Sequence, residues 1–270
     1  FSPDLYLSKA TNQGSYNPLL YNRLRGKRYL LTSATDAQPN SDGGLDSYDM
    51  DGFSVSGGSS FGLDGSGDSI INYFFKRYPK VFDVVVYEGT GSTRTVTHNL
   101  GVAPEMMIIK NIEQTYHWEV YHSEISPADG LYLSDSGSSS GASFAYASTQ
   151  PTTSVFTVGS GPGVNNTNKD HVALLFASLD GISKVGSYTG TGNDLNASGL
   201  GAAARFVLIK RTDATGHWYV FDTTQGIASG NDPYWFMNGN TQVTGTDYID
   251  PHSSGFTVTS SAPAGLNASG

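Results

Sequence analysis

Short stretches of alternating apolar and polar residues run along the chain, separated by turns rich in Gly, Ser, Asn and Asp. A period of two is typical of half-buried β-strands. No stretch has sustained apolar spacing at i, i+3 and i+4 with caps, so we expect very little helix. The middle of the chain predicts these strands: Phe82–Tyr87, Thr93–Thr97, Glu105–Lys110, His117–His122, Leu131–Ser134, Ser154–Val158 and His171–Ala177. The pattern predicts an all-β fold of tandem antiparallel, jelly-roll-like β-sandwiches.

The same succession of motifs recurs about every 100 residues. The repeated anchors are a lysine that ends a strand, a phenylalanine within a strand, and a His-Trp pair: Lys9, Lys110 and Lys210; Phe53, Phe156 and Phe256; His117-Trp118 and His217-Trp218. Anchors that keep one order and one spacing indicate duplication, and this period corresponds to one small domain per repeat. We therefore expect each repeat to bury its own core.

The repeats divide the chain into three predicted domains, at residues 1–78, 79–180 and 181–270. The middle repeat is complete. The first lacks an opening strand, and the third lacks a closing strand, because the counterpart of His171–Ala177 would fall at about 271–277. An incomplete sandwich exposes a strand edge. We expect the chain to be a segment of a longer polypeptide; the alternative is that neighbouring chains supply the missing strands.

Composition narrows the classes of function. The net charge is −9, which argues against sequence-independent binding to nucleic acid or to anionic membranes. The longest apolar stretches are far too short for a membrane-spanning helix, so we expect no membrane insertion. The chain has no cysteine, which excludes disulfides, cysteine-ligated zinc, iron–sulfur clusters and thiol nucleophiles. We expect no cofactor.

Five motifs carry a resemblance to a known group of proteins. They are VxxYxGTG at Val84–Gly91, a GLG turn at 199–201, the strand end Ile108-Ile109-Lys110, HW-x-V at His117–Val120 and GFTV at Gly255–Val258. Together they resemble an uncharacterised β repeat of tail-fibre-like proteins from marine tailed phages, including cyanophages. The resemblance is closest over residues 82–270 and looser over 1–78, which lack a His-Trp pair. It implies a role at the virion surface, in host adhesion or receptor binding, and a homotrimeric fibre.

Four residues are candidates for ligand contact. Trp235 and Tyr234 belong to four consecutive large apolar residues, and one or two of these should face solvent or a partner chain. His117 and His217 lie on the strand face opposite the neighbouring tryptophans. Strand alternation places those tryptophans on the same face as a valine, which favours core packing over sugar stacking.

The chain contains no pattern that identifies a catalytic or metal site. The carboxylates of Asp46–Asp51 alternate as in calcium loops, but the terminal glutamate is missing and turn formation explains them. We predict no metal and no catalytic residue. Gly89-Thr90-Gly91 and Gly190-Thr191-Gly192 lead into strands, so they lack the helix N-terminus that holds phosphate.

We therefore expect a non-enzymatic β protein of a phage tail fibre or a similar extracellular appendage. It would act as a spacer or bind a host cell-surface glycan, with turns such as Asp135–Ala142 and Gly159–Asn168 as contact points. A carbohydrate-binding module of a secreted bacterial protein is the main alternative. An enzyme that degrades surface polysaccharide is the third, and short parallel β-helix repeats, which many such enzymes have, are not present.

Overall fold

The computed structural model describes residues 1–12, 16–55, 67–243 and 245–269. The prediction of an all-β fold with antiparallel sandwich sheets is confirmed, because all strand pairs in these ranges are antiparallel. Helix in the described part is limited to four-residue segments and one 3-10 turn. No described helix has the length and apolar character needed to cross a bilayer.

The first repeat forms one four-stranded sheet and one hairpin. Its strands are β1 (Leu5–Ala10), β2 (Leu19–Asn22), β3 (Leu30–Leu31), β4 (Leu45–Tyr48), β5 (Phe53–Val55) and β6 (Ile70–Phe75). The sheet has the order β3-β2-β1-β6, and β4 pairs with β5. A 3-10 turn, Arg23–Arg25, follows β2.

The second repeat has the most complete sheet. Its elements are β7 (Phe82–Glu88), β8 (Arg94–Thr97), β9 (Met106–Asn111), β10 (Glu119–His122), β11 (Asp129–Tyr132), β12 (Ser140–Gly141), α1 (Ser143–Tyr146), β13 (Val155–Val158), α2 (Pro162–Asn165) and β14 (Asp170–Phe176). The main sheet has the order β12-β11-β10-β9-β14-β7, and β8 pairs with β13 in the second layer.

The third repeat follows the same plan with fewer strands in its main sheet. Its elements are β15 (Leu195–Ser198), β16 (Phe206–Lys210), β17 (Trp218–Asp222), β18 (Tyr234–Phe236), β19 (Gln242–Val243), β20 (Ile249–His252), β21 (Gly255–Val258) and α3 (Ala264–Asn267). The main sheet has the order β16-β17-β18-β19, and the second layer has the order β15-β21-β20.

Each main sheet packs against other residues on both faces. The outer face of each packs on its own second layer, which gives three separate cores. The inner faces meet in a fourth core that contains residues of all three repeats, including Leu7, Trp118, Val120, Trp218 and Trp235. The expected individual cores are therefore present, but the sequence did not predict the shared one. The division into three domains stays a prediction, because the repeats are joined through this common core.

Strand alternation explains how one sequence serves both faces. Trp118, just before β10, and Val120 within it point to the common core, whereas Tyr121 packs in the core of the second repeat. In β17 the same holds for Val220 and Phe221. The predicted core role of both tryptophans is confirmed.

Candidate functional site

Three lysines, of which Lys9 and Lys110 are buried and Lys210 is half-buried, join the repeats in a ring. Lys9, Lys110 and Lys210 occupy equivalent places at the ends of β1, β9 and β16. Each ammonium donates to the carbonyl oxygen of the next residue and to a carbonyl oxygen of a neighbouring repeat. The acceptors in the neighbouring repeats are Asn240 for Lys9 (2.8 Å), Thr35 for Lys110 (3.2 Å) and Ser136 for Lys210 (3.4 Å). The first repeat thus binds the third, the second binds the first, and the third binds the second.

The ammonium group suits these positions because it has three N–H donors and needs no acid partner. Lys9 and Lys110 each donate to three carbonyl oxygens, and both are almost completely buried. Burial lowers the pKa of each of the three lysines to about 8. That value is still above 7, so the protonated form predominates at neutral pH.

Side chains at the common core close the same ring. The indole N–H of Trp118 donates to the carbonyl oxygen of Leu31 in the first repeat, at 3.0 Å. The indole N–H of Trp218 donates to the carbonyl oxygen of Tyr132 in the second repeat, at 2.9 Å. The first repeat has no equivalent tryptophan; there the Thr32 hydroxyl donates to the carbonyl oxygen of Met237, at 2.6 Å. The Thr32 bond thus takes the place of the tryptophan bond in the first repeat, and it joins the first repeat to the third.

The Gly-Thr-Gly turns are structural clamps. The amide N–H of Thr90 donates to the side-chain oxygen of Asn165, at the end of α2, and the amide N–H of Thr191 donates to that of Asn267, at the end of α3. Both asparagines are buried. A Cβ atom at Gly89 would lie 2.1 Å from the carbonyl oxygen of Asn166, so only glycine fits there without a shift. This geometry explains the motif without a phosphate.

A groove of about 330 Å³ lies between the first and third repeats. One side is formed by β6 and the other by residues at β16 and the end of β17, among them Arg205, Phe206 and Asp222. The ring of Phe206 contacts those of Tyr73 and Phe75 with centroid distances of 5.1 and 6.0 Å. We call this surface the first–third groove.

A hydrogen-bond network fixes the floor of the first–third groove. The Tyr73 hydroxyl donates to Asp222 Oδ2 at 2.7 Å and accepts from the indole N–H of Trp235 at 3.0 Å. The side-chain amide of Gln225 also donates to Asp222 Oδ2, at 2.6 Å. Burial raises the pKa of Tyr73 well above its usual range, and the Asp222 carboxylate raises it further. The hydroxyl therefore stays protonated and serves as a structural link, not as a base.

The expectation that Trp235 or Tyr234 faces solvent is wrong. Trp235 is fully buried in the common core, and Tyr234 is 6% exposed in the core of the third repeat. Four consecutive apolar residues fit here because β18 has a buried layer on each side. Neither side chain is placed to meet a ligand from solvent.

His117 and His217 lie outside the common core, as alternation predicted, and each stacks on an aromatic ring of the adjacent strand. His117 stacks on Tyr132 with centroids 4.4 Å apart, and His217 stacks on Phe236 with centroids 4.1 Å apart. His217 is exposed and the other three rings are half-buried. The two histidines are not brought together, but each forms a partly exposed pair of rings at the same place in its repeat.

Asp49 organises the turn between β4 and β5. Its carboxylate accepts from the hydroxyls of Ser47 and Ser54, both at 2.7 Å. These bonds lower the pKa of the Asp49 carboxyl. Within the described ranges, no three His, Cys, Asp or Glu side chains gather as a metal site would require.

Two turns suggested as contact points have other roles. Ser139 donates its backbone N–H to the carbonyl oxygen of Thr212, and the carbonyl oxygen of Ser136 accepts from Gly216 as well as from Lys210. The Asp135–Ala142 turn is therefore a junction with the third repeat. The Gly159–Asn168 turn contains α2, which holds the first Gly-Thr-Gly clamp.

Glu119 is a buried titratable residue that the sequence analysis did not single out. It lies on β10, is 5% exposed, and takes the place that Tyr219 has in the third repeat. Burial raises the pKa of its carboxyl to about 7. Its carboxylate lies close to α2, since a Cβ atom on Gly163 would be 3.0 Å from Glu119 Oε1. The sequence signal that could have identified it is a glutamate placed between two apolar strand residues, Trp118 and Val120.

Comparison with known proteins gives one match. No curated protein and no solved structure matches the chain. A family model described as a domain of unknown function, DUF7483, matches residues 1–270. The chain, with its three linked β repeats, belongs to this family of domains of unknown function.

Proposed function

We propose that the chain is a non-enzymatic structural and adhesion module of a phage tail fibre or a similar extracellular appendage, exposed at the virion surface and assembled as a homotrimer. The observation that carries the proposal is the ring of cross-repeat bonds from Lys9, Lys110 and Lys210. These bonds, with the common core, join three repeats into one body. Such a body suits a part that transmits load and presents surfaces.

The hydrogen-bond partners of the polar side chains inside the protein favour a spacer over a catalyst. The three lysines donate to backbone carbonyl oxygens, and the buried asparagines Asn165 and Asn267 hold turns. These groups bond to the backbone of the protein itself, and none of them lines the first–third groove. The resemblance of the sequence to tail-fibre-like repeats points in the same direction.

The location is tested on particles. Antibodies against the chain should label an appendage of intact virions in negative-stain electron microscopy, and the chain should be found by mass spectrometry in purified particles. Labelling absent from every particle surface, with the chain recovered only from the host cytosol, would overturn the proposed location. Sedimentation equilibrium tests the assembly, where a homotrimer has three times the 28.6 kDa of one chain.

A carbohydrate-binding role is a second candidate, favoured by the stacked pairs His117–Tyr132 and His217–Phe236. Partly exposed rings are the surfaces on which sugars stack. A glycan array and a pull-down with host envelope polysaccharide test it. His217→Ala should weaken binding at least as much as His117→Ala, because His217 is the more exposed. Tyr78→Ala, at an exposed tyrosine outside the pairs, is the matched control. Indifference to all host glycans would favour the spacer.

A further inference from the structure

The second repeat shows how the closing strand is held. Strand β14 lies between β9 and β7 and pairs with both. Its inner face places Val172, Leu174 and Phe176 at the common core. The backbone N–H of Glu105 and that of Ile112 donate to the carbonyl oxygens of Phe176 and Asp170, so both ends of the strand are fixed.

The first repeat holds an equivalent strand in the same way. Strand β6 pairs with β1, and its inner face places Tyr73 and Phe75 at the common core. The backbone N–H of Asp4 and that of Thr11 donate to the carbonyl oxygens of Phe75 and Ser69, which are the counterparts of the bonds in the second repeat.

The third repeat has both flanks of this position, but the part of the chain that the structure describes has no strand between them. Strand β16 corresponds to β1 and β9, yet among the described residues its only strand partner is β17. The opposite flank is anchored as in the second repeat: the Tyr188 hydroxyl donates to the carbonyl oxygen of Leu266 at 2.8 Å, as Tyr87 does to Val164 at 2.7 Å. Residues 185–188, the counterparts of part of β7, form no strand.

The exposure of side chains on and near β16 agrees with an unfilled strand position beside it. All residues of β1 are buried, whereas Phe206, Leu208 and Lys210 of β16 are only half-buried. Ile182 is 61% exposed, whereas its counterpart Val81 packs against the common core. The first–third groove opens beside Phe206, at one end of this strip.

We propose that the edge of β16 is an acceptor site for one extended peptide strand, which inserts antiparallel to β16 as β14 does beside β9. This inference does not rest on the proposed function. Backbone hydrogen bonds to a sheet edge supply affinity, and alternate side chains supply selectivity. The strand would complete the inner face of the third main sheet.

The two equivalent strands define the chemistry of the occupant. On the inner face, β6 carries Ile71, Tyr73 and Phe75, and β14 carries Val172, Leu174 and Phe176. The occupant therefore has an aliphatic residue, an aliphatic residue or tyrosine, and a phenylalanine at alternate positions. Its phenylalanine would join the aromatic cluster in which Phe75, Phe82, Phe176 and Phe206 already contact one another.

A folded second copy of residues 1–270 is not the donor. Both of its strands with this pattern, β6 and β14, are already paired within their own sheets. The occupant is therefore a strand that the described residues of the folded chain do not provide.

A synthetic peptide with the sequence of residues 168–178 is the probe, labelled with fluorescein and titrated into the 270-residue protein. Fluorescence anisotropy measures binding, and hydrogen exchange locates it. We expect saturable binding and slower exchange of the amides of Phe206–Lys210. A peptide with serine at the positions of Val172, Leu174 and Phe176 should bind at least about tenfold more weakly, because it loses three apolar contacts. A peptide with L174P, which lacks one amide donor, should also bind more weakly.

Four results would overturn the proposal. If binding is not saturable, β16 is not an acceptor site. The same conclusion follows if the serine peptide binds as tightly as the peptide with the sequence of residues 168–178. If the amides of β6 exchange more slowly and those of β16 do not, the peptide binds at a different sheet edge from the one proposed. Self-association of the protein that the peptide competes away would identify a second copy as the donor and contradict the assignment of the partner. Because each variant is made in the peptide, the protein cannot lose its fold in the test.

Discussion

The indole nitrogen of Trp118 lies 3.0 Å from the carbonyl oxygen of Leu31, and this bond crosses from the second repeat to the first. Trp218 and Tyr132 form the equivalent bond between the third repeat and the second. A residue that a strand pattern assigns to the core thus also sets how neighbouring repeats are arranged. The consequence is that the repeats should unfold together.

Replacing Trp118 with phenylalanine tests this link. Trp118→Phe removes the donor and leaves a carbonyl oxygen without its partner beside a small cavity, so we expect the free energy of unfolding to fall by roughly 2–4 kcal/mol. Denaturant unfolding followed by far-UV circular dichroism measures it. Tyr78→Phe, at a side chain that is 56% exposed, should leave stability nearly unchanged. Equal stability of the two variants would contradict the role of the bond.

Substitution of the lysines that join the repeats should lower stability more than substitution of an exposed lysine. Lys110→Met keeps most of the length of the side chain but leaves three carbonyl oxygens without their donor, so we expect a loss of at least about 2 kcal/mol. Lys210→Met should cost less, because Lys210 has two such partners. Lys184→Met, at an exposed lysine, is the control. A gain in stability at Lys110 would mean that the cost of burying the ammonium exceeds the value of its bonds.

The sequence predicted the fold class well because strand alternation and turn composition are local properties. The anchors at Lys9, Lys110 and Lys210 even marked the residues that join the repeats. Their role could not be predicted, since their partners are backbone carbonyl oxygens, which leave no mark in the sequence. The burial of Trp235 was missed for a related reason: alternation shows one core-facing side, and the second buried side exists only because three sheets meet.

Glu119 should make stability depend on pH. Its folded pKa of about 7 lies above its ordinary value of 4.5, so the folded state holds its proton more tightly. Its contribution is fully present below pH 4.5 and is lost as the pH rises through about 7. Relative to Glu119→Gln, the wild type should lose about 2–3 kcal/mol between pH 5 and 8. Burial lowers the pKa of the three lysines, so they raise stability as the pH increases above about 8, and they do so equally in both proteins. Parallel pH profiles of the two proteins would contradict the burial of the charge.

The Gly-Thr-Gly turns offer a test in two repeats at once. A Cβ atom would lie 2.1 Å from the carbonyl oxygen of Asn166 at Gly89, and 2.3 Å from that of Ala268 at Gly190. Backbone atoms cannot move aside as flexible side chains do, so Gly89→Ala and Gly190→Ala should each lower the free energy of unfolding by about 1–3 kcal/mol. At Gly141 a Cβ atom would meet nothing within 4 Å, so Gly141→Ala should have little effect. Chemical denaturation of the three variants measures the differences. If Gly89→Ala and Gly190→Ala are as stable as Gly141→Ala, the turns do not approach the ends of α2 and α3 as closely as the structure shows.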